Sequence, residues 1–256
     1  MVNVFARIPP APTPSHPLID RLWGRYIQDV PYAATFAKLH ASPASAATAP
    51  FENDHIALRT LGAPGPGIAS IARVFERLGW RHGGDYAFSD VHLRAVHLSK
   101  PGFPRVFISE LLVERMPADV RDVLTTYAID ATPPPTDNFD ALAAWFSAPS
   151  KAPSAAHLEL VAKASQYGAW LLAFGRKVNH FTASVRDVEL WQLRLLQAGV
   201  PMKAHIEGDA GSELRQTATH AAVVDVKTAS GTMRMPYAYF EIAERQDGFD
   251  GFLAPQ

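Results

Sequence analysis

One order of elements occurs twice along this chain, and it constrains the fold more than any single motif. Residues 54–60 (Asp-His-Ile-Ala-Leu-Arg-Thr) alternate like a strand, with His55, Ala57 and Arg59 on one face and Ile56 and Leu58 on the other. A Gly/Pro loop follows, then a helical run with Ile68, Ile71, Phe75 and Leu78 on one side, ending at Gly79. Strand-like runs come next, around 84–88, 91–98 and 105–115. The order returns at residue 178. Residues 178–185 read as a strand, and Asp187 can cap a helix that carries Val188, Trp191, Leu195 and Ala198 and ends near Gly199. Strand candidates then lie around 203–206, 218–226 and 235–243. Two diverged βαβββ modules predict an α+β fold whose units pair into one curved, partly closed sheet.

The flanking segments read as helix and arm. Pro9, Pro10, Pro12, Pro14 and Pro17 make residues 8–17 an extended arm, and Leu18, Leu22, Tyr26 and Val30 give residues 18–41 helical spacing. A helical region over 117–175 is interrupted by Pro133-Pro134-Pro135. Within it, Ala155–Phe174 predicts one long helix with Leu158, Val161, Tyr167, Trp170 and Leu171 as a core stripe; Trp191 is read as core as well. The expected organisation is an N-terminal arm and helices over 1–50, a first module over 51–116, a helical insertion over 117–177 and a second module over 178–256, with the two modules forming one domain.

Composition narrows the function classes. With 48% hydrophobic and 19% charged residues, the 256-residue chain can bury a sizeable core and is neither fibrous nor disordered. A net charge of -1 gives no field favouring nucleic acid or an anionic membrane. No run reaches the ~18 apolar residues that span a bilayer, and the N-terminus has no secretory pattern. The absence of cysteine excludes thiolate metal sites and a cysteine nucleophile and suits a reducing, cytoplasmic setting. No P-loop, Rossmann glycine pattern or Ser/His/Asp elbow is present.

The chemistry-bearing residues lie on the repeated strands. His55 and His180 each sit on the strand that opens a module, and Glu241 lies inside an apolar closing strand, where a buried carboxylate needs a metal ion or an arginine as partner. If the modules pack about a pseudo-twofold axis, the three can share one site, and two imidazoles with one carboxylate match a non-haem iron facial triad. The plainer alternative is two core histidines and a salt-bridged glutamate. Glu110 is read as the first-module counterpart of Glu241: a fourth ligand, a group behind the ligands or, preferred, half of a structural pair. His92, His97, His205 and His220 are read as packing or supporting groups on strand-like runs, and Tyr239 and Thr182 as pocket lining.

Three segments carry a family resemblance: Asn53-Asp54-His55-Ile56-Ala57-Leu58-Arg59-Thr60, Val178-Asn179-His180-Phe181-Thr182, and Tyr239-Phe240-Glu241-Ile242-Ala243-Glu244-Arg245. Over roughly residues 50–252 the chain resembles the 2-oxoadipate dioxygenase/decarboxylase (D-2-hydroxyglutarate synthase) family of the vicinal oxygen chelate superfamily. The last segment, with Gly248-Phe249, also looks like the end of 4-hydroxyphenylpyruvate dioxygenase. The resemblance implies His55, His180 and Glu241 as ligands of Fe(2+), Arg59 as the holder of a substrate carboxylate, and a 2-oxo acid and O2 as small-molecule partners. It also implies oxidative decarboxylation of 2-oxoadipate to 2-hydroxyglutarate and CO2. His55 and Arg59 share a strand face about 13 Å apart at ~3.3 Å per residue, a span that a dicarboxylate could bridge. Two other readings stand beside it: a glyoxalase-like isomerase or lyase with a redox-inert metal and Glu110 as fourth ligand, and a non-enzymatic ligand-binding protein. Relatives continue past the position of Gln256 into a segment that covers the site, so either the 117–175 helices are expected to supply the cover or the given chain is shortened.

Overall fold

The computed structural model describes residues 11–42, 50–127, 133–136 and 138–253. Two antiparallel strands, β1 (Asn53–Leu61) and β5 (His180–Ser184), meet at the centre of a seven-stranded sheet. The first half continues outward through β4 (Phe103–Leu111), β3 (Leu93–Lys100) and β2 (Arg81–Phe88). The second half continues through β9 (Glu241–Arg245) and β6 (Leu214–Ala218). In each half the opening strand pairs in parallel with the closing one, β1 with β4 and β5 with β9. Parallel neighbours need a crossover, and α3 (Gly67–Arg77) and α8 (Val188–Gln197) begin the two crossovers. The sheet curls into a half-barrel.

Strand alternation divides the sheet into a core face and a site face. Ile56, Leu58, Phe181 and Phe240 are fully buried, and the rings of Phe181 and Phe240 lie against Trp23 of α1 (Pro17–Asp29), 5.2 and 6.4 Å away. Each such side chain contributes about 1.5–3 kcal/mol of burial. This layer commits His55, Ala57 and Arg59 to the opposite face, inside the curl.

Several expectations change. Residues 18–41 form two helices, because Pro31 lacks the amide that would continue α1 and instead opens α2 (Pro31–His40). Ala155–Phe174 is not one helix. It breaks without a proline at Ser165, whose extended backbone ends α6 (Ala155–Ala164) while its side chain accepts from Gly168 N–H and caps α7 (Gln166–Phe174). The earlier insertion helices are α4 (Ala118–Tyr127) and α5 (Phe139–Trp145). The run at 105–115 ends as a strand at Leu111.

Residues 203–206 form no strand. Only single bridges, Met202 to Thr219 and Glu207 to Gln216, flank them, because Gly208 at φ +87 turns the chain back onto Leu214. The runs at 218–226 and 235–243 divide as well, and β7 (Val223–Thr228) with β8 (Gly231–Pro236) makes a separate hairpin between β6 and β9. Of the expected arm, residues 8–10 lie outside the described residues, and Thr13 pairs with Glu52. Among the described residues no helix is long and apolar enough to cross a membrane.

Candidate metal centre

Because β1 and β5 are neighbours and β9 lies beside β5, the three motif residues converge. His55, His180 and Glu241 are all buried, and one ligand atom from each lies within 4.8 Å of the others. His55 Nε2 is 3.3 Å from His180 Nε2 and 3.3 Å from Glu241 Oε1, and His180 Nε2 is 3.9 Å from the same oxygen. Thr182 lies between them. Its hydroxyl donates to Glu241 Oε1 at 3.0 Å and sits 3.1 Å from His55 Nε2. The Tyr239 ring stacks on His180 with centroids 4.7 Å apart. Tyr239 lines the adjoining cavity as read from the sequence, whereas Thr182 is fully buried beside the ligand atoms.

The far nitrogen of each imidazole is already engaged. His55 Nδ1–H donates to Asp54 Oδ1 at 2.7 Å, and His180 Nδ1–H donates to Asn179 Oδ1 at 3.0 Å. Both Nε2 atoms therefore turn toward the shared space, the arrangement that outer-shell acceptors impose on metal-binding histidines. Burial opposes charge on His55, but the carboxylates of Asp54 and Glu241 outweigh it and raise its pKa. Burial lowers His180 to about 3, aided by the positive charges of His55, Arg59 and Lys203, so its imidazole is neutral. Burial would raise Glu241, yet His180 and His55 lower it. The donor set of two imidazole nitrogens and a carboxylate oxygen fits a divalent metal.

The triad opens into a cavity of ≈ 640 Å³ lined also by Tyr239, Phe107 and Phe252, with exposed Lys203, His205 and Glu207. Arg59 does not line it. The Arg59 guanidinium packs 4.7 Å from the Tyr167 ring centroid and 5.0 Å from that of Trp170, and faces a second cavity of ≈ 500 Å³ shared with Lys151 and Arg176. Its charge still reaches the centre, lowering His180 and opposing the rise of Tyr239. The insertion helix α7 therefore backs Arg59, whereas the side chain set against the triad is Phe252, edge-on to His55 at 4.8 Å.

Glu110 is not the counterpart of Glu241. Glu241 pairs across the sheet with Thr182, two residues beyond His180, and in the first half the residue two beyond His55 is Ala57, which pairs with Phe107. Glu110 instead accepts from Arg94 Nε at 2.5 Å and from Ile68 N–H at 2.6 Å, the structural pairing preferred from sequence. Of the other four histidines read from the sequence, three differ from their reading and His97 fits it. His92 is exposed at a left-handed turn, His205 and His220 are exposed off the strands, and only His97 is buried on a strand, 2.9 Å from the Tyr86 hydroxyl.

Sequence reasoning missed Asp54 and Asn179 as holders of the imidazoles. Adjacent strand residues point to opposite faces, but the register of β1 against β5 slips between Asn53 and His55, and this bulge brings Asp54 round to its neighbour. The available signal was the polar residue preceding each histidine.

Comparison with known proteins now places this geometry. Residues 19–248 match the 2-oxoadipate dioxygenase/decarboxylase family. The chain belongs to that family. The chloroplastic 2-oxoadipate dioxygenase/decarboxylase of Arabidopsis thaliana is 31% identical over 218 residues, 75% of this chain and 58% of that protein. The chain thus spans well under two thirds of that relative. Hydroxyglutarate synthase of Oryza sativa, solved in complex with 2-oxoadipate, superposes with a TM-score of 0.78 at 24% identity, covering 91% of this chain and 86% of that one. A glyoxalase-superfamily protein of Ralstonia eutropha gives 0.84 at 22%, covering 93% and 85%. At these identities the two structures speak for the fold.

Proposed function

We propose that this protein is an Fe(II)-dependent oxygenase that converts a 2-oxo dicarboxylic acid, 2-oxoadipate, with O2 into 2-hydroxyglutarate and CO2. The observation that carries the reading is the open triad: three buried ligands and, where a symmetric duplication would supply a fourth, the apolar Phe107. Bound iron(II) would chelate the 2-oxo acid and activate dioxygen for loss of C1 and hydroxylation of the shortened chain.

The protein's own groups bind, orient and exclude water. His55, His180 and Glu241 would hold the ion, with Asp54, Asn179 and Thr182 fixing their orientation. Phe107 and Phe252 give the cavity an apolar wall that favours the reactants over bulk water. The far carboxylate of the diacid needs a cation. Arg59 is the group that the family resemblance favours, held between two aromatic rings and free of hydrogen-bond partners among the described residues. The metal-dependent isomerase reading would draw on Glu110 as a fourth ligand, and that carboxylate is engaged by Arg94 and the start of α3.

The test is anaerobic loading with Fe(II), followed by O2 uptake and CO2 release with 2-oxoadipate and with shorter and longer 2-oxo diacids. Equimolar O2 consumption and CO2 formation, highest for the six-carbon acid, is the expected result. Turnover without O2 contradicts the proposal.

A further inference from the structure

We infer that Arg245 is a positioning residue that couples the orientation of the ligand His55 to the seating of the cavity wall formed by Phe252. The inference rests on the reading of His55, His180 and Glu241 as metal ligands and extends it to a residue outside the triad.

Arg245 lies four residues after Glu241 on β9, so strand alternation returns it to the ligand's face. Its Nε and Nη2 donate to Asp54 Oδ2 and Oδ1 at 2.8 and 2.9 Å, a two-pronged pairing in which the side chains are only 7% and 3% exposed. Arg105 adds a more distant positive charge, 3.7 Å from Asp54 Oδ2. The same carboxylate meets His55 Nδ1 at 2.7 Å, so Asp54 links the guanidinium to the imidazole. With Asp54 clamped in this way, the His55 ring is held with Nε2 toward Glu241 and His180. Arg245 thereby sets the orientation of a ligand that it does not touch.

The third arm of the same guanidinium reaches the other way. Nη1 donates to the Gly251 carbonyl at 2.5 Å, and Cζ lies 5.2 Å from the Phe252 ring and 5.6 Å from that of Phe249. This grip turns Phe252 onto His55 and into the cavity lining. A second tether holds the same segment without touching His55: Arg105 Nε donates to Asp250 Oδ1 at 2.7 Å and Nη2 to the Phe249 carbonyl at 3.1 Å. The two tethers can therefore be separated by mutation.

The full chain is compared as wild type, Arg245→Met, Arg245→Lys, Asp54→Asn, Asp250→Asn and the Asp54→Asn/Arg245→Met double variant. The measurements are Co(II) affinity, the Co(II) absorption spectrum and amide exchange of residues 246–253. Arg245→Met is expected to weaken Co(II) binding about 10- to 100-fold, alter the spectrum and speed exchange of the tail. The double variant is expected to bind Co(II) about as weakly as either single variant, because both cut one chain of contacts. Asp250→Asn is expected to speed tail exchange while leaving affinity and spectrum unchanged. Should Arg245→Met fail to fold, Arg245→Lys keeps the charge but loses the fork, and the same shifts are expected at smaller size. A folded Arg245 variant with wild-type affinity and spectrum, or with a wild-type tail, overturns the inference alone. A wild-type chain that binds no Co(II) overturns the metal reading and this inference with it.

Discussion

The two halves of the sheet follow one plan and contribute unequally to the site. Both open with a histidine strand, cross over through a helix and close with a parallel partner strand beside the first. The second half supplies His180 and Glu241, whereas the first supplies His55 and, at the position matching Glu241, Phe107. The connections differ too. β3 runs into β4 through a tight turn, while β6 reaches β9 only after the β7–β8 hairpin. Duplication thus sets where ligands can stand, and divergence decides which stand there. A symmetric pair would bring four potential ligands together; this asymmetric one brings three together beside an apolar Phe107.

The asymmetry can be broken or sharpened by substitution. The largest effect is expected from Glu241→Ala, which should abolish metal retention and O2 uptake together, read by metal analysis and an oxygen electrode. Next comes Phe107→Glu, which adds a fourth ligand, the second carboxylate; it should tighten Zn(II) binding in a competition titration yet suppress O2 uptake. Arg59→Met should leave metal content unchanged and raise KM for 2-oxoadipate about 10- to 100-fold through loss of a charged hydrogen bond. Thr182→Val, which removes the hydroxyl between Glu241 and His55, should weaken metal binding about 10-fold. Glu110→Gln should leave the centre intact while lowering unfolding stability in urea by about 1–3 kcal/mol, because the Arg94 and Ile68 contacts are impaired.

The parts legible in sequence were those with local signatures. Alternation around His55 and His180 located the two central strands, the apolar spacing located α3 and α8, and Asp187 accepts from Leu190 N–H as its cap position requires. His55, His180 and Glu241 were singled out by their places on the opening and closing strands of the repeated modules, and the sheet brings all three together. What stayed hidden depends on register. The closing run of the first module suggested Glu110 as the counterpart of Glu241, but only strand pairing shows that Phe107 holds that place. Ser165 looks like an ordinary helix residue until its hydroxyl caps the following turn. The β1 bulge that delivers Asp54 to His55 follows from the pairing of β1 with β5, more than a hundred residues away in sequence.

The central claim, an ion held by three residues from unequal halves and left open to a 2-oxo acid and dioxygen, is tested most directly by O2 consumption. Fe(II)-loaded wild-type and Phe107→Glu proteins would be mixed with 2-oxoadipate and air-saturated buffer. The account predicts one O2 consumed per CO2 released by wild type and near-background uptake by the variant at equal iron content. Uptake by the variant matching wild type, or 2-oxoadipate consumed by wild type with no oxygen used, would contradict it.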